Sequence, residues 1–123
     1  MSATFRVKDA LTLAGWTERF DNVIDSGLFH VFSDEDRRRY VEGLARVLKL
    51  GGRLFLLCFS DEEPGTQGPR RVAKEELHAA FAEVWNLESV EPSRYEFRPA
   101  LKDVQFSEGG PKAWFVVVWR QGP

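Results

Sequence analysis

Cysteine is nearly missing from this chain: Cys58 stands alone among 123 residues. A single thiol excludes an intrachain disulfide and any cysteine-built metal cluster. It lies inside the apolar run "LFLLCFS" at 54–60, which predicts a buried, inert thiol rather than a nucleophile. An excess of one charge sign is missing too. Seventeen basic side chains face nineteen acidic ones, a formal net charge of −2. Neither nucleic acid nor an anionic membrane is therefore expected as a partner. The nearest basic run, Arg37-Arg38-Arg39, directly follows Asp34, Glu35 and Asp36, which reads as a solvated helix face. No hydrophobic stretch approaches the ~20 residues that span a bilayer. The opening "MSATFRVKDA" is too polar for a signal-peptide core. A soluble cytoplasmic protein of one domain, residues 1–123, is the expectation. No internal repeat and no low-complexity segment interrupts it.

What is present alternates strand and helix. Strand candidates are "TFRV" at 4–7, "DNVID" at 21–25, "RLFLLCFS" at 53–60, the weaker "NLESVEP" at 86–92, and the β-branched, aromatic "AWFVVVW" at 113–119. The nearly unbroken apolar run at 53–60 suits a strand covered on both faces. A helix is predicted over 34–49, with Tyr40, Val41, Leu44, Val47 and Leu48 on one face. Ser33 is its N-cap, acids fill its first turn, and Gly51-Gly52 stop it. A second helix is predicted over 73–84, with Leu77, Ala80, Phe81 and Val84 inward. Ala73 stands where a Ser or Thr cap would be expected, so this helix must borrow its cap elsewhere. His78 falls on its polar side, and a further helical turn is placed within 10–19. The order of elements argues an α/β sheet with right-handed crossovers. The loop 60–72, with two Pro and two Gly, is long enough to be functional or mobile. Its Asp61, Glu62 and Glu63 read as solvated. The 92–112 segment is long and irregular, and Trp16, Trp85, Trp114 and Trp119 read as core or interface anchors.

Asp25, Ser26 and Gly27 fall just past the carboxyl end of a strand, where ligands sit in open α/β sheets. The alternative is a strand-to-helix turn held by an Asx bond. His30 is either a proton acceptor or a packing residue among Phe29, Val31 and Phe32, and a lone histidine in such surroundings is more often the latter.

Together "KDAL" at 8–11, the stretch from "RFDNVIDSGLFHVF" through "YVEGLARVLKLGG" and "RLFLLCF" to "KEEL", and "KAWFVVVW" at 112–119 resemble class I S-adenosylmethionine-dependent methyltransferases. The likeness is greatest to the small-molecule branch of thiopurine- and tellurite-type enzymes, and runs from about residue 4 to 119. It implies a Rossmann-like sheet ordered 3-2-1-4-5-7-6, of which the five strand candidates match the third to the seventh. The expected fold is a truncated methyltransferase sheet of about five strands. Most run parallel, the carboxy-terminal one runs antiparallel, and helices cover both faces. By the resemblance Asp9 bonds the adenine amino group and Ala10 lends the ring an N–H, although an Asp there also caps a helix or turn. Asp25, Ser26 and Gly27 line the donor, His30 is the candidate catalytic residue, and Phe29, Phe59, Ser60 and the 64–71 stretch shape the acceptor side. The implied cofactor is S-adenosylmethionine, the implied substrate a small molecule, and no metal site is expected.

The family's glycine-rich loop, GxGxG, occurs nowhere in these 123 residues; "GTQG" at 65–68 follows the wrong strand. That loop brings backbone close to the cofactor, and an acid on the next strand grips the ribose. Losing ~3–4 kcal/mol of such contact weakens binding several-hundred-fold, so little donor binding is expected of the chain alone. Without those strands "DNVID" has one bare edge, a template for pairing with another chain. The options are a homodimer, joined edge to edge or by strand exchange, or a shift of "TFRV" into the vacated place. A non-catalytic dimer or interaction module is the rival to a methyltransferase.

Overall fold

The computed structural model describes residues 19–66, 69–95, 107 and 110–121. The candidate strand at 4–7, the turn within 10–19, Asp9, Ala10 and Trp16 lie outside them. The elements are β1 (Phe20–Ser26), a 3-10 turn (Phe29–Val31), α1 (Asp34–Val47), β2 (Leu48–Phe59), α2 (Lys74–Ala80), β3 (Trp85–Arg94) and β4 (Lys112–Arg120). The sheet runs β1-β2-β4-β3. That is the order the resemblance implies for its fourth, fifth, seventh and sixth strands. β1 and β2 are parallel, and β4 is antiparallel to both β2 and β3. Three strands thus share one direction and β4 opposes them. Four of the five expected strands fall among the described residues.

Period-two alternation assigns the sheet's faces. Leu54, Leu56 and Cys58 of β2 stand opposite Val118, Val116 and Trp114 of β4, and all six are buried. Tyr40, Val41 and Leu44 of α1 and Leu77 of α2 join them in one core. Each such aliphatic side chain taken from water contributes about 1.5–3 kcal/mol. The interleaved residues are more open: Ile24 is 79% exposed and Phe115 38%. Among the described residues, α1 and α2 both pack on the same face of the sheet. Burial pushes the Cys58 thiol up to about 12, which leaves it inert.

Several boundaries differ for physical reasons. Ser33 caps α1 as expected, its hydroxyl accepting the Asp36 N–H at 3.2 Å. The helix ends at Val47, however, and β2 starts at once. Gly51-Gly52 do not stop the helix; they fall where the β1–β2 register slips between Phe20–Leu48 and Asn22–Arg53. Gly51 has φ +79°, and a Cβ on Gly52 would lie 2.9 Å from the Asp21 carbonyl oxygen, so glycine permits the irregularity. α2 is shorter than predicted, and its cap is borrowed: the Glu76 carboxylate accepts the Ala73 N–H at 2.7 Å. This is half of a capping box, made without a capping hydroxyl.

The loop after β2 folds back on itself. Val72 N–H donates to the Phe59 carbonyl at 2.9 Å, and Asp61 N–H to the Val72 carbonyl at 3.0 Å. Arg71 donates to the carbonyls of Glu63, Pro64 and Pro69 and lies over the Phe59 ring. Glu63, expected in solvent, is only 2% exposed. Its two carboxylate oxygens accept N–H groups of Lys112 at 2.9 Å and Ser107 at 3.0 Å. Burial pushes its carboxyl up, but those donors and the Arg71 charge outweigh it and hold it below the usual range. Glu63→Ala would strand two N–H groups and cost about 1–3 kcal/mol in urea unfolding. Amide exchange at Lys112 should accelerate with it; an unchanged rate would show that β4 begins independently of this anchor.

Candidate active site

The carboxyl ends of the parallel strands β1 and β2 lie side by side, and β1 turns there directly into the 3-10 turn. Asp25 controls that turn. It is 4% exposed; Oδ1 accepts the Leu28 N–H at 2.7 Å, and Oδ2 accepts the Phe29 N–H at 3.1 Å and the Tyr40 hydroxyl at 2.8 Å. Burial raises its pKa, while the bonds from Leu28, Tyr40, Phe29 and Gly27 pull it back. The Tyr40 phenol is pushed up, first by burial and then by the Asp25 charge. The carboxylate thus fastens strand end, turn and α1 together, which is the Asx-type alternative the sequence left open.

Ser26 remains exposed at the strand end. Gly27 has φ +106°, a conformation L side chains rarely adopt. Its N–H donates to the Leu57 carbonyl at 3.0 Å, extending the β1–β2 pairing into the turn. A Cβ there would meet His30 Nε2 at 3.4 Å and the Tyr95 hydroxyl at 3.7 Å.

His30 is 4% exposed, and its Nδ1 accepts the Phe59 N–H at 2.9 Å. A neutral ring that accepts at Nδ1 carries its proton on Nε2. Burial, then the charges of Arg37 and Arg71, lower its pKa to about 4, against a hydrogen bond with the Gly27 backbone. The imidazole therefore spans the two strand ends with both nitrogens engaged. Around it Phe59 stands edge-on at 5.2 Å and Tyr95 at 6.0 Å between ring centres. The Tyr95 hydroxyl donates to the Leu57 carbonyl at 2.6 Å. Sequence reasoning missed Tyr95, which lay in a stretch without periodicity; a lone aromatic in a loop gives no signal of its own.

Two residues expected on the acceptor side are instead interior. Phe29 is fully buried, stacked on Phe81 with ring centres 5.7 Å apart and lying under the Arg37 guanidinium. Ser60 is fully buried, and its hydroxyl accepts the Glu62 N–H at 2.9 Å. Phe59 is 6% exposed at the end of β2. Among the described residues no group of three or more His, Cys, Asp or Glu could hold a metal ion.

Comparison with solved structures places this geometry in a class. TehB from Haemophilus influenzae superposes with a TM-score of 0.65 at 14% identity, over 94% of this chain and 40% of that one. A structure described for the conversion of a disulfide bond into a thioacetal group during echinomycin biosynthesis gives 0.75 at 32% identity, over 98% of this chain and 56% of that one. The β1-β2-β4-β3 order, with its glycine turn at the carboxyl end of β1, is that of an S-adenosylmethionine-dependent methyltransferase fold. Within that class, the thiopurine S-methyltransferase model matches residues 7–115, and the chain belongs to that family. A 2-heptyl-1-hydroxyquinolin-4(1H)-one methyltransferase of Mycobacteroides abscessus is 30% identical over 95 residues, which are 76% of this chain and 42% of that protein. The chain thus spans about half the length of the relatives it matches.

Asp25→Ala should cost about 2–4 kcal/mol, because three buried donors lose their acceptor at once. Tyr40→Phe removes one donor and should cost clearly less, as urea unfolding would read. His30 gives a pH signature. Its native pKa of about 4 lies below the ordinary 6.5, so the unfolded chain binds more protons between those values. The stability of the neutral ring is complete above the upper value and is lost as pH falls through the lower one, about 3 kcal/mol in all. In His30→Asn the loss of stability across that window should shrink by a similar amount; an equally steep loss would place the slope on other groups.

Proposed function

We propose that this chain forms part of an S-adenosylmethionine-dependent methyltransferase that acts on a small molecule, and that it contributes the turn at the end of β1 and the wall at the end of β2. The observation that carries this reading is the turn at the carboxyl end of β1, where Gly27 takes φ +106° beside the exposed Ser26. Such a turn admits close approach of a ligand to the main chain. The residues fit one side of a donor site: Ser26 is exposed, and Gly27 presents no Cβ. When bound, the donor supplies a methyl group on a sulfonium centre for in-line displacement. Such a displacement depends on the alignment of donor and acceptor more than on a base. His30 suits that division of labour. With Nδ1 bound by Phe59 N–H and its proton on Nε2 it is a positioning residue, setting the distance between the strand ends. Phe59 and Tyr95, 5.3 Å apart between ring centres, offer an apolar wall for an acceptor.

The missing GxGxG sequence supports weak donor affinity for these 123 residues alone. A second reading, a non-catalytic module that assembles as a homodimer, is favoured by β1. Among the described residues β1 pairs with β2 only, and its Ile24 is 79% exposed. Pairing with a second copy along that edge would cover the side chain and complete the backbone bonds.

Titration of the isotope-labelled chain with S-adenosylhomocysteine distinguishes the two. The first reading expects saturable shifts of the Ser26 and Gly27 amide signals with weak affinity. No shift at millimolar ligand would reject donor binding by this chain. Sedimentation at high concentration tests the dimer, and a monomer throughout would reject pairing along β1.

A further inference from the structure

A groove of about 850 Å³ runs between α1 and α2 and touches none of the residues at the strand ends discussed above. Four arginines and four carboxylates line it, so its net charge selects nothing. What distinguishes it is a set of donors without acceptors. The Arg37 side chain is 7% exposed, and its Nη1 donates to Glu76 at 3.1 Å. Its Nε and Nη2 are buried and have no hydrogen-bond partner among the described residues. These two atoms are the side-on edge of the guanidinium, two parallel N–H groups spaced for the two oxygens of one carboxylate or phosphate. Arg120, on the same groove, likewise has a buried Nε without a partner. Leaving such donors unpaired is costly, so an arrangement of this kind calls for an acceptor.

The nearby carboxylates do not fill the role. Glu76 gives one oxygen to Arg37 Nη1 and the other to Ala73 N–H, and Asp34 is held by Arg70 at 2.8 Å. The rest of the lining is apolar: Val41 on α1, Ala80 at the end of α2, then Val84 and Trp85 leading into β3. A cleft of this volume, with an apolar strip beside charged groups, can take a small ligand.

We propose that the α1–α2 groove binds a small organic oxyanion. Its carboxylate or phosphate head takes the Nε–Nη2 edge of Arg37, and its apolar body lies along Val41, Ala80, Val84 and Trp85. Nε and Nη2 of Arg37 are closed to solvent, so a ligand reaches them only when the side chains over them move. The groove is lined by none of the turn's residues, although Arg37 also lies over Phe29, and its test does not use methyl transfer.

The test is a titration of isotope-labelled protein with phenyl phosphate and with benzoate at fixed ionic strength, reading the Arg37 Nε–H signal. A saturable shift is expected with at least one of the two, and their relative affinities identify the head group. Arg37→Lys, which keeps the charge but loses the fork, should weaken binding at least tenfold. Arg120→Gln, at a half-buried position, should weaken it severalfold and keeps the test open if the lysine variant fails to fold. An Nε–H signal that neither probe moves at millimolar concentration overturns the proposal. So does one whose only neighbour, with probe present, is a long-lived water, since a structural water would then satisfy the edge.

Discussion

A buried carboxylate at the end of β1 constrains everything near it. Asp25 has lost its water and must recover acceptor bonds from the protein. It finds three, from Leu28 N–H, Phe29 N–H and the Tyr40 hydroxyl. Meeting that demand forces the chain to turn at once after Ser26, and the turn in turn requires a residue able to take φ +106° at 27. It also places His30 beside Phe59, where the imidazole ties the turn to the end of β2. Strand end, glycine turn, histidine and neighbouring strand are thus consequences of one charge out of water.

The same device recurs on the other side of β2. Glu63 accepts from the N–H groups at the start of β4 and at Ser107, and Arg71 gathers three carbonyls of its own loop. Arg71 also lies over Phe59, and Arg37 over Phe29. A guanidinium, buried for Arg37 and half-buried for Arg71, thus covers one face of each of these aromatic rings. Such ions add little net stability, since desolvation offsets their attractions, but removing a partner is costly. Their effect is to fix the geometry of the strand ends.

Much of the architecture was legible from periodicity. The apolar runs "RLFLLCF" and "AWFVVVW" marked two strands, and they pair residue for residue from Leu54–Val118 to Cys58–Trp114. Ser33 and the acids after it marked the start of α1 at the residue observed. The glycine pair at 51–52 misled, because glycine licenses both a helix stop and a strand irregularity, and only the register with β1 selects between them. Residues around the site were less legible. Phe29 stood next to a ligand-lining turn in sequence, yet a 3-10 turn swings it into the core against Phe81. Glu63 sat among acids, Pro and Gly, a composition that reads as solvent-facing, and Tyr95 in a stretch without pattern.

The sequence alone determined the order of elements and the core face of each, because these follow from local period, while the family was legible only through the resemblance of its motifs. It also determined that one thiol allows no disulfide within these 123 residues. The tertiary structure decided which charges are buried and what satisfies them. Asp25 and Tyr40 are fifteen positions apart, Glu63 and Lys112 forty-nine. No local pattern encodes such partnerships. They exist because the sheet order brings distant N–H and O–H groups to carboxylates that have left water.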